Sequence, residues 1–183
     1  EELIKGQEMS KLTGKKVLFF VEEAYEDLEL WYPKIRLEEE GVTTVVAGPE
    51  EKVYKGKNGY PCRPDSAIEK INPDQFDGLV IPGGFAPDKL RRHQRVLELT
   101  KKIFEAGKPV AFICHAGWVP ISAKMLKGKN VTGVSATKDD LENAGAVYHD
   151  KSVVVDGNLI SSRTPKDLPD FCQAIIRALS QQV

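Results

Sequence analysis

Two periodicities alternate along the chain. Short runs of consecutive apolar residues are separated by longer segments whose apolar positions recur every three or four residues. The first pattern suits a strand buried on both faces, the second an amphipathic helix. "KKVLFFV" (15–21) therefore predicts a core strand. "EDLELWYPKIRLEEEG" (26–41) predicts a helix through apolar positions 28, 31, 32, 35 and 37, stopped at Gly41 and disturbed at Pro33. "VTTVVAG" (42–48) is β-branched and predicts a second strand. "VYKGKNGYPCRPDSAIEKI" (53–71) carries turn residues and reads as a hairpin or excursion.

The same alternation continues. "FDGLVIPGG" (76–84) is a third core strand that runs into a glycine pair. "DKLRRHQRVLELTKKIFEAG" (88–107) predicts one helix with a Gly stop. "KPVAFIC" (108–114) is a fourth core strand, followed by a helix in "GWVPISAKMLKG". "NVTGVSA" leads to a helix in "TKDDLENAGA", with Thr137 as its capping residue. "AVYHD", then "SVVVDGNLISSR" with a hairpin turn at Asp156-Gly157, and a last helix in "DLPDFCQAIIRALSQQ" complete the chain. Strands alternating with helices predict an α/β fold: a mostly parallel central sheet covered on both faces. Residues 15–183 read as a single domain after an N-terminal extension, 1–14.

Composition narrows the function. The 183 residues suffice for a real core, and 41% hydrophobic with 29% charged residues is ordinary for a globular domain. A formal charge of -1 gives no basis for a nucleic acid or an anionic membrane as partner. No apolar run reaches the roughly 20 residues of a membrane span. The polar start "EELIKGQEMSKLTGKK" is not a signal peptide, and a cytoplasmic location is expected; Met9 is a candidate internal start. Three cysteines, Cys62, Cys114 and Cys172, are odd in number and widely spaced, so neither a disulfide framework nor a zinc site is expected. No motif calls for a metal or a cofactor.

In parallel sheets, ligands sit beyond the carboxyl ends of the strands. Three such ends carry chemistry here. Cys114 lies where a strand runs straight into a helix, the setting of a nucleophile elbow, although G-x-S-x-G is absent: residue 112 is Phe and residue 116 is Ala. Helix-start N–H groups there are expected to lower the thiol pKa. A small buried core residue is the alternative. His115 is adjacent, and neighbouring side chains usually diverge, so it serves as a base only with a particular twist and an orienting carboxylate. After the first strand, Glu22, Glu23, Glu26, Asp27 and Glu29 crowd together. Most are expected to be a solvated helix start; one pointing at the thiol would have a raised pKa and share a proton with sulfur. The N–H groups of Gly83 and Gly84 are candidates for an oxyanion hole with that of His115. "GKNG" is not a phosphate loop, since the Walker pattern is missing.

Several of these segments, taken together, resemble the PfpI family of intracellular proteases. That family lies within the class I glutamine-amidotransferase-like superfamily, which also includes the human parkinsonism-associated deglycase. The matching stretches are "EDLELWYPKIRLEEEG", "NPDQFDGLVIPGGFAPDKLR", "GKPVAFICHAGWVPISA", "LENAGA" and "VVVDGNLISSRTPKDLPDF". The resemblance implies a flavodoxin-like three-layer sandwich with Cys114 as nucleophile, Glu29 as the acid near sulfur, and oxyanion donors from Gly84 and the His115 backbone. It implies that His115 is oriented by an acid from a neighbouring subunit, in a homodimer or a hexamer. The matching position is Asp88, where the family usually has Glu, one methylene longer. "CHAG" replaces the common "CHGP", beside the substrate-side Trp118.

Three activities follow from the resemblance and the thiol. One is hydrolysis of a peptide or small amide. The second is cofactor-free glyoxalase or deglycase action on a 2-oxoaldehyde such as methylglyoxal, or on its adducts. The third is a stress-response chaperone or redox sensor using Cys114.

Overall fold

All four apolar runs become adjacent parallel strands, which brings their carboxyl ends together at one end of a sheet. The computed structural model describes residues 11–182; residues 1–10 of the expected extension lie outside them. The strands are β1 (Lys16–Phe20), β2 (Thr43–Gly48), β3 (Tyr54–Lys55), β4 (Pro61–Cys62), β5 (Ser66–Ala67), β6 (Gly78–Ile81), β7 (Val110–Ile113), β8 (Asn130–Val131), β9 (Val147–Tyr148), β10 (Val153–Asp156) and β11 (Leu159–Ser162). Seven of them form one sheet in the order β10-β11-β7-β6-β1-β2-β5. Every pairing in it is parallel except β10 with β11, the hairpin turned at Asp156-Gly157. β3 and β4 form a separate hairpin, and β8 pairs with β9.

The helices are α1 (Asp27–Glu39), α2 (Ala86–Leu90), α3 (Gln94–Glu105), α4 (Trp118–Ser122), α5 (Lys138–Asn143) and α6 (Leu168–Ser180). α1 packs on α6, and α3 packs on α4, which also meets α2 and α5. These two groups cover the sheet, so the strands are apolar on both faces: β6 and β7 are buried at every position, as is β1 after Lys16. The mostly parallel sheet flanked by helices is the expected α/β sandwich.

Local expectations fail where packing overrides the pattern. Residues 88–107 are two helices, broken at Arg91–His93, where His93 is extended (φ -91°, ψ 115°). Leu90 and Val96 are both fully buried. Six residues apart, they would lie about 120° apart around one continuous helix, and the break lets both face the core. Thr137 does not cap α5: its hydroxyl donates to the carbonyl of Val134 (2.8 Å), closing the preceding 3₁₀ turn. α1 runs without interruption through Pro33, which is buried. The acid-rich start of α1 is not a solvated face either, because Glu22, Glu26 and Glu29 are all buried.

Phe112, fully buried on β7, lies beneath the 3₁₀ turn that follows it, where any side chain on Gly117 would contact its ring. Phe112→Ala is expected to lower the unfolding free energy by about 3–5 kcal/mol. Urea unfolding at equilibrium checks this.

Candidate active site

β7 ends at Ile113 in extended backbone (φ -137°, ψ 148°), and Cys114 follows at φ +63°. The chain then closes a 3₁₀ turn, Cys114–Gly117, which leads into α4. A positive φ in a residue with a Cβ is strained, and such residues cluster at functional sites. The backbone N–H groups of His115 and Gly84 act on the thiol in the direction that favours its charged form. The two N–H groups that the sequence suggested for an oxyanion hole therefore act on one sulfur.

β6 delivers Gly83 and Gly84 to the same place. Gly84 has φ +78° and pairs with Tyr25; a Cβ on it would lie 2.6 Å from the carbonyl oxygen of Ala24. Only glycine tolerates both the conformation and the approach. Gly83 fits between two site residues: a Cβ there would lie 2.6 Å from Glu29 Oε1 and 2.8 Å from Cys114 Cβ.

Of the five crowded acids, Glu29 is the one the fold brings to the thiol. Glu26 caps α1 by accepting the Glu29 N–H (Oε2, 3.0 Å), and Asp27 accepts the N–H groups of Asn58 and Tyr60. Glu29 begins the inward face of the helix and is wholly buried. Its Oε1 accepts the Gly83 N–H (2.9 Å), while Oε2 has no hydrogen-bond partner among the described residues. Burial, reinforced by the nearby charge of Glu26, pushes this carboxyl up to about 8. Burial likewise pushes the Cys114 thiol up to about 12, with the charge of Glu29 as the second cause. The expected lowering of the thiol pKa is therefore corrected. The N–H donors do act in that direction, but desolvation outweighs them in the resting site.

His115 departs from expectation in the opposite sense. Its side chain does not diverge from its neighbour, and Nδ1 lies 3.3 Å from Cys114 Sγ. Burial, followed by the charge of Lys57, lowers the imidazole pKa. No acid of the same chain hydrogen-bonds the ring among the described residues. Asp88 is exposed on α2 and pairs with Arg92 (3.2 Å). Trp118 stands beside His115, with ring centroids 5.2 Å apart and planes tilted by 58°. The indole N–H donates to Asp140 (3.0 Å), and the Arg91 guanidinium lies over the ring.

The structure thus unites Cys114, His115, Glu29, Gly83 and Gly84, sets Trp118 at the rim, and leaves Asp88 on the surface. It adds Lys57, whose charge acts on Glu29, Cys114 and His115 together. Lys57 belongs to "GKNG", which matters here as a cation on a turn and not as a phosphate loop. No local pattern ties residue 57 to residue 114; only the placement of the β3–β4 hairpin does. Cys62 and Cys172 are buried, and burial also raises their thiol pKa values.

Comparison with known proteins finds similar chains and folds. A family model described as the DJ-1/PfpI family matches residues 15–178. Deglycase PfpI of Pyrococcus furiosus is 44% identical over 164 residues, covering 90% of this chain and 99% of that protein. Putative cysteine protease YraA of Bacillus subtilis is 43% identical over 159 residues, covering 86% and 94%. A crystal structure from Anabaena variabilis, a two-domain protein with DJ-1/ThiJ/PfpI-like and ferritin-like domains, superposes with a TM-score of 0.89 at 42% identity. The match covers 90% of this chain and 48% of that one, so the chain spans about half of that protein.

The Glu29 carboxyl gives stability a definite pH dependence. Between its ordinary 4.5 and about 8, the unfolded chain has released this proton and the folded chain retains it. Stability therefore falls as pH rises through that window. Glu29→Gln should match the parent protein near pH 4.5 and exceed it near pH 8, by on the order of 3 kcal/mol. Urea unfolding at the two pH values checks this, and a difference independent of pH would contradict it.

Proposed function

Because the chain belongs to the DJ-1/PfpI family, we propose that it is a cysteine-dependent enzyme acting on carbonyl carbon, with a 2-oxoaldehyde or its adduct on an amine as substrate. The observation that carries this reading is the buried Glu29 carboxyl, one oxygen unpartnered, beside a Cys114 whose charged form the N–H groups of His115 and Gly84 favour. Every group this chemistry needs lies within one chain. The name carried by the Pyrococcus furiosus relative, deglycase, supports the same class.

The steps balance without a cofactor. The Cys114 proton passes to the neutral His115 imidazole, 3.3 Å from sulfur, as sulfur adds to the aldehyde carbon and forms a C–S bond. The carbonyl oxygen becomes an oxyanion facing the N–H groups of Gly84 and His115. The Glu29 carboxyl gives its proton to that oxyanion, and the resulting carboxylate moves the proton from the former aldehyde carbon to the adjacent one through an enediol, leaving a thioester. Water cleaves the thioester, and the thiol is restored. For methylglyoxal the net reaction adds one water and yields lactate. A carboxyl raised to about 8 holds and releases protons near neutral pH, as such a shuttle requires.

A second reading, peptide or amide hydrolysis, is favoured by the 3.3 Å contact between Cys114 and His115 and by the name of the Bacillus subtilis relative, putative cysteine protease. In it, His115 needs an orienting acid, which we assign to Asp88 of a neighbouring copy in a homodimer or hexamer. Asp88 is exposed and its ion pair with Arg92 is open to solvent, so it is available for such a contact.

The two readings separate by variant. Lactate formation from methylglyoxal should fall to background in Cys114→Ala and by about 10²–10⁴ in Glu29→Gln, while Asp88→Asn leaves it within about twofold. Cleavage of fluorogenic peptides, if hydrolysis is the activity, should fall by at least about tenfold in Asp88→Asn. Lactate formation that survives Cys114→Ala would sink the first reading. Peptidase activity indifferent to Asp88 would sink the cross-subunit acid.

A further inference from the structure

Glu29 is buried beside Cys114, and Lys57 is the cation whose charge reaches the thiol, the Glu29 carboxyl and the imidazole. Its backbone is fixed. Gly56 N–H donates to the Tyr60 carbonyl (2.9 Å), and Gly59 N–H donates to the Gly56 carbonyl (2.8 Å). The Asp27 carboxylate accepts the N–H groups of Asn58 and Tyr60, each at 2.9 Å. Lys57 N–H itself donates to the carbonyl of Tyr25 (2.8 Å), the residue bridged to Gly84. The turn is therefore stitched to the strand end whose N–H acts on the sulfur.

The ammonium itself is uncommitted. Lys57 is exposed, and its Nζ makes no ion pair or hydrogen bond among the described residues. The nearest acids on α1 are already engaged: Asp27 by the turn, and Glu26 by the Glu29 N–H (3.0 Å) and the Asn58 side-chain amide (3.5 Å). A lysine ammonium is a compact charge on a flexible stem and adapts to a mobile anion.

We infer that Lys57 is a specificity-determining residue that receives a carboxylate of the substrate beside the carbonyl attacked by Cys114. The site then prefers acidic carbonyl compounds, or adducts on acidic peptides, over neutral and basic ones. This rests on Cys114 being the nucleophile, and the test separates the two claims.

Iodoacetate and iodoacetamide both alkylate a thiolate by the same step: sulfur forms a C–S bond as iodide leaves with the C–I electrons. One carries a carboxylate, the other an amide. Their rate ratio at Cys114, read by mass spectrometry at about pH 7.5, divides out the thiolate fraction. The ratio of iodoacetate to iodoacetamide should be about fivefold higher in the parent protein than in Lys57→Met. Lys57→Arg should retain it, and about 0.5 M salt should shrink it. Equal ratios in the parent protein and Lys57→Met would overturn the inference and leave the nucleophile standing. If lactate formation from methylglyoxal survives Cys114→Ala, the nucleophile assignment fails, and the inference fails with it.

Discussion

A cysteine held at φ +63° is the constraint on which the rest of this site depends. That conformation costs roughly 1–2 kcal/mol for a residue with a Cβ, and the fold maintains it from three directions. β7 anchors the residue before it between β6 and β11. The carbonyl of Cys114 accepts the N–H of Val134 (3.3 Å), tying the turn to the segment after β8. The N–H groups of His115 and of Gly84, the latter arriving from β6, act on the sulfur. With an ordinary extended residue at position 114, the N–H groups at this turn would not gather behind one atom.

Electrostatics follow from where that atom is held. Sulfur and Glu29 share a space too dry for two negative charges, so both acids are raised and a proton stays with the pair near neutral pH. Gly83 sets the spacing, since any side chain there would collide with both partners. The resting thiol is protonated and protected, and it becomes a nucleophile as its proton moves to a neighbour. Reactivity here depends on where the thiol proton can go more than on a helix start lowering a single pKa.

Much of this was legible in the sequence. Apolar runs at 15–21, 42–48, 76–84 and 108–114 predicted the four central strands, and the rule that ligands sit beyond strand ends pointed to residues 83–84 and 114–115. The crowded acids were visible as a group and spacing could not choose among them; the family resemblance named Glu29, and the capping role of Glu26 with the burial of Glu29 supplies the physical reason. The break at Arg91–His93 came from the core's demand to bury Leu90 and Val96 together. The imidazole beside its neighbouring thiol came from the backbone reversal at Cys114, which no spacing rule encodes. Lys57 reaches the site only because a hairpin is stitched to the end of β1 by backbone hydrogen bonds, a long-range placement that composition and periodicity do not carry.

The central claim is that Glu29 holds a proton near neutral pH beside the thiol. Infrared spectroscopy of the C=O stretch of a protonated carboxyl, taken as a difference between the parent protein and Glu29→Gln, reads this directly. The account predicts a protonated-carboxyl band at pH 7 that is absent from Glu29→Gln, fades as pH rises through about 8, and shifts in Cys114→Ser. A Glu29 already ionised at pH 7, or a band indifferent to residue 114, would contradict it.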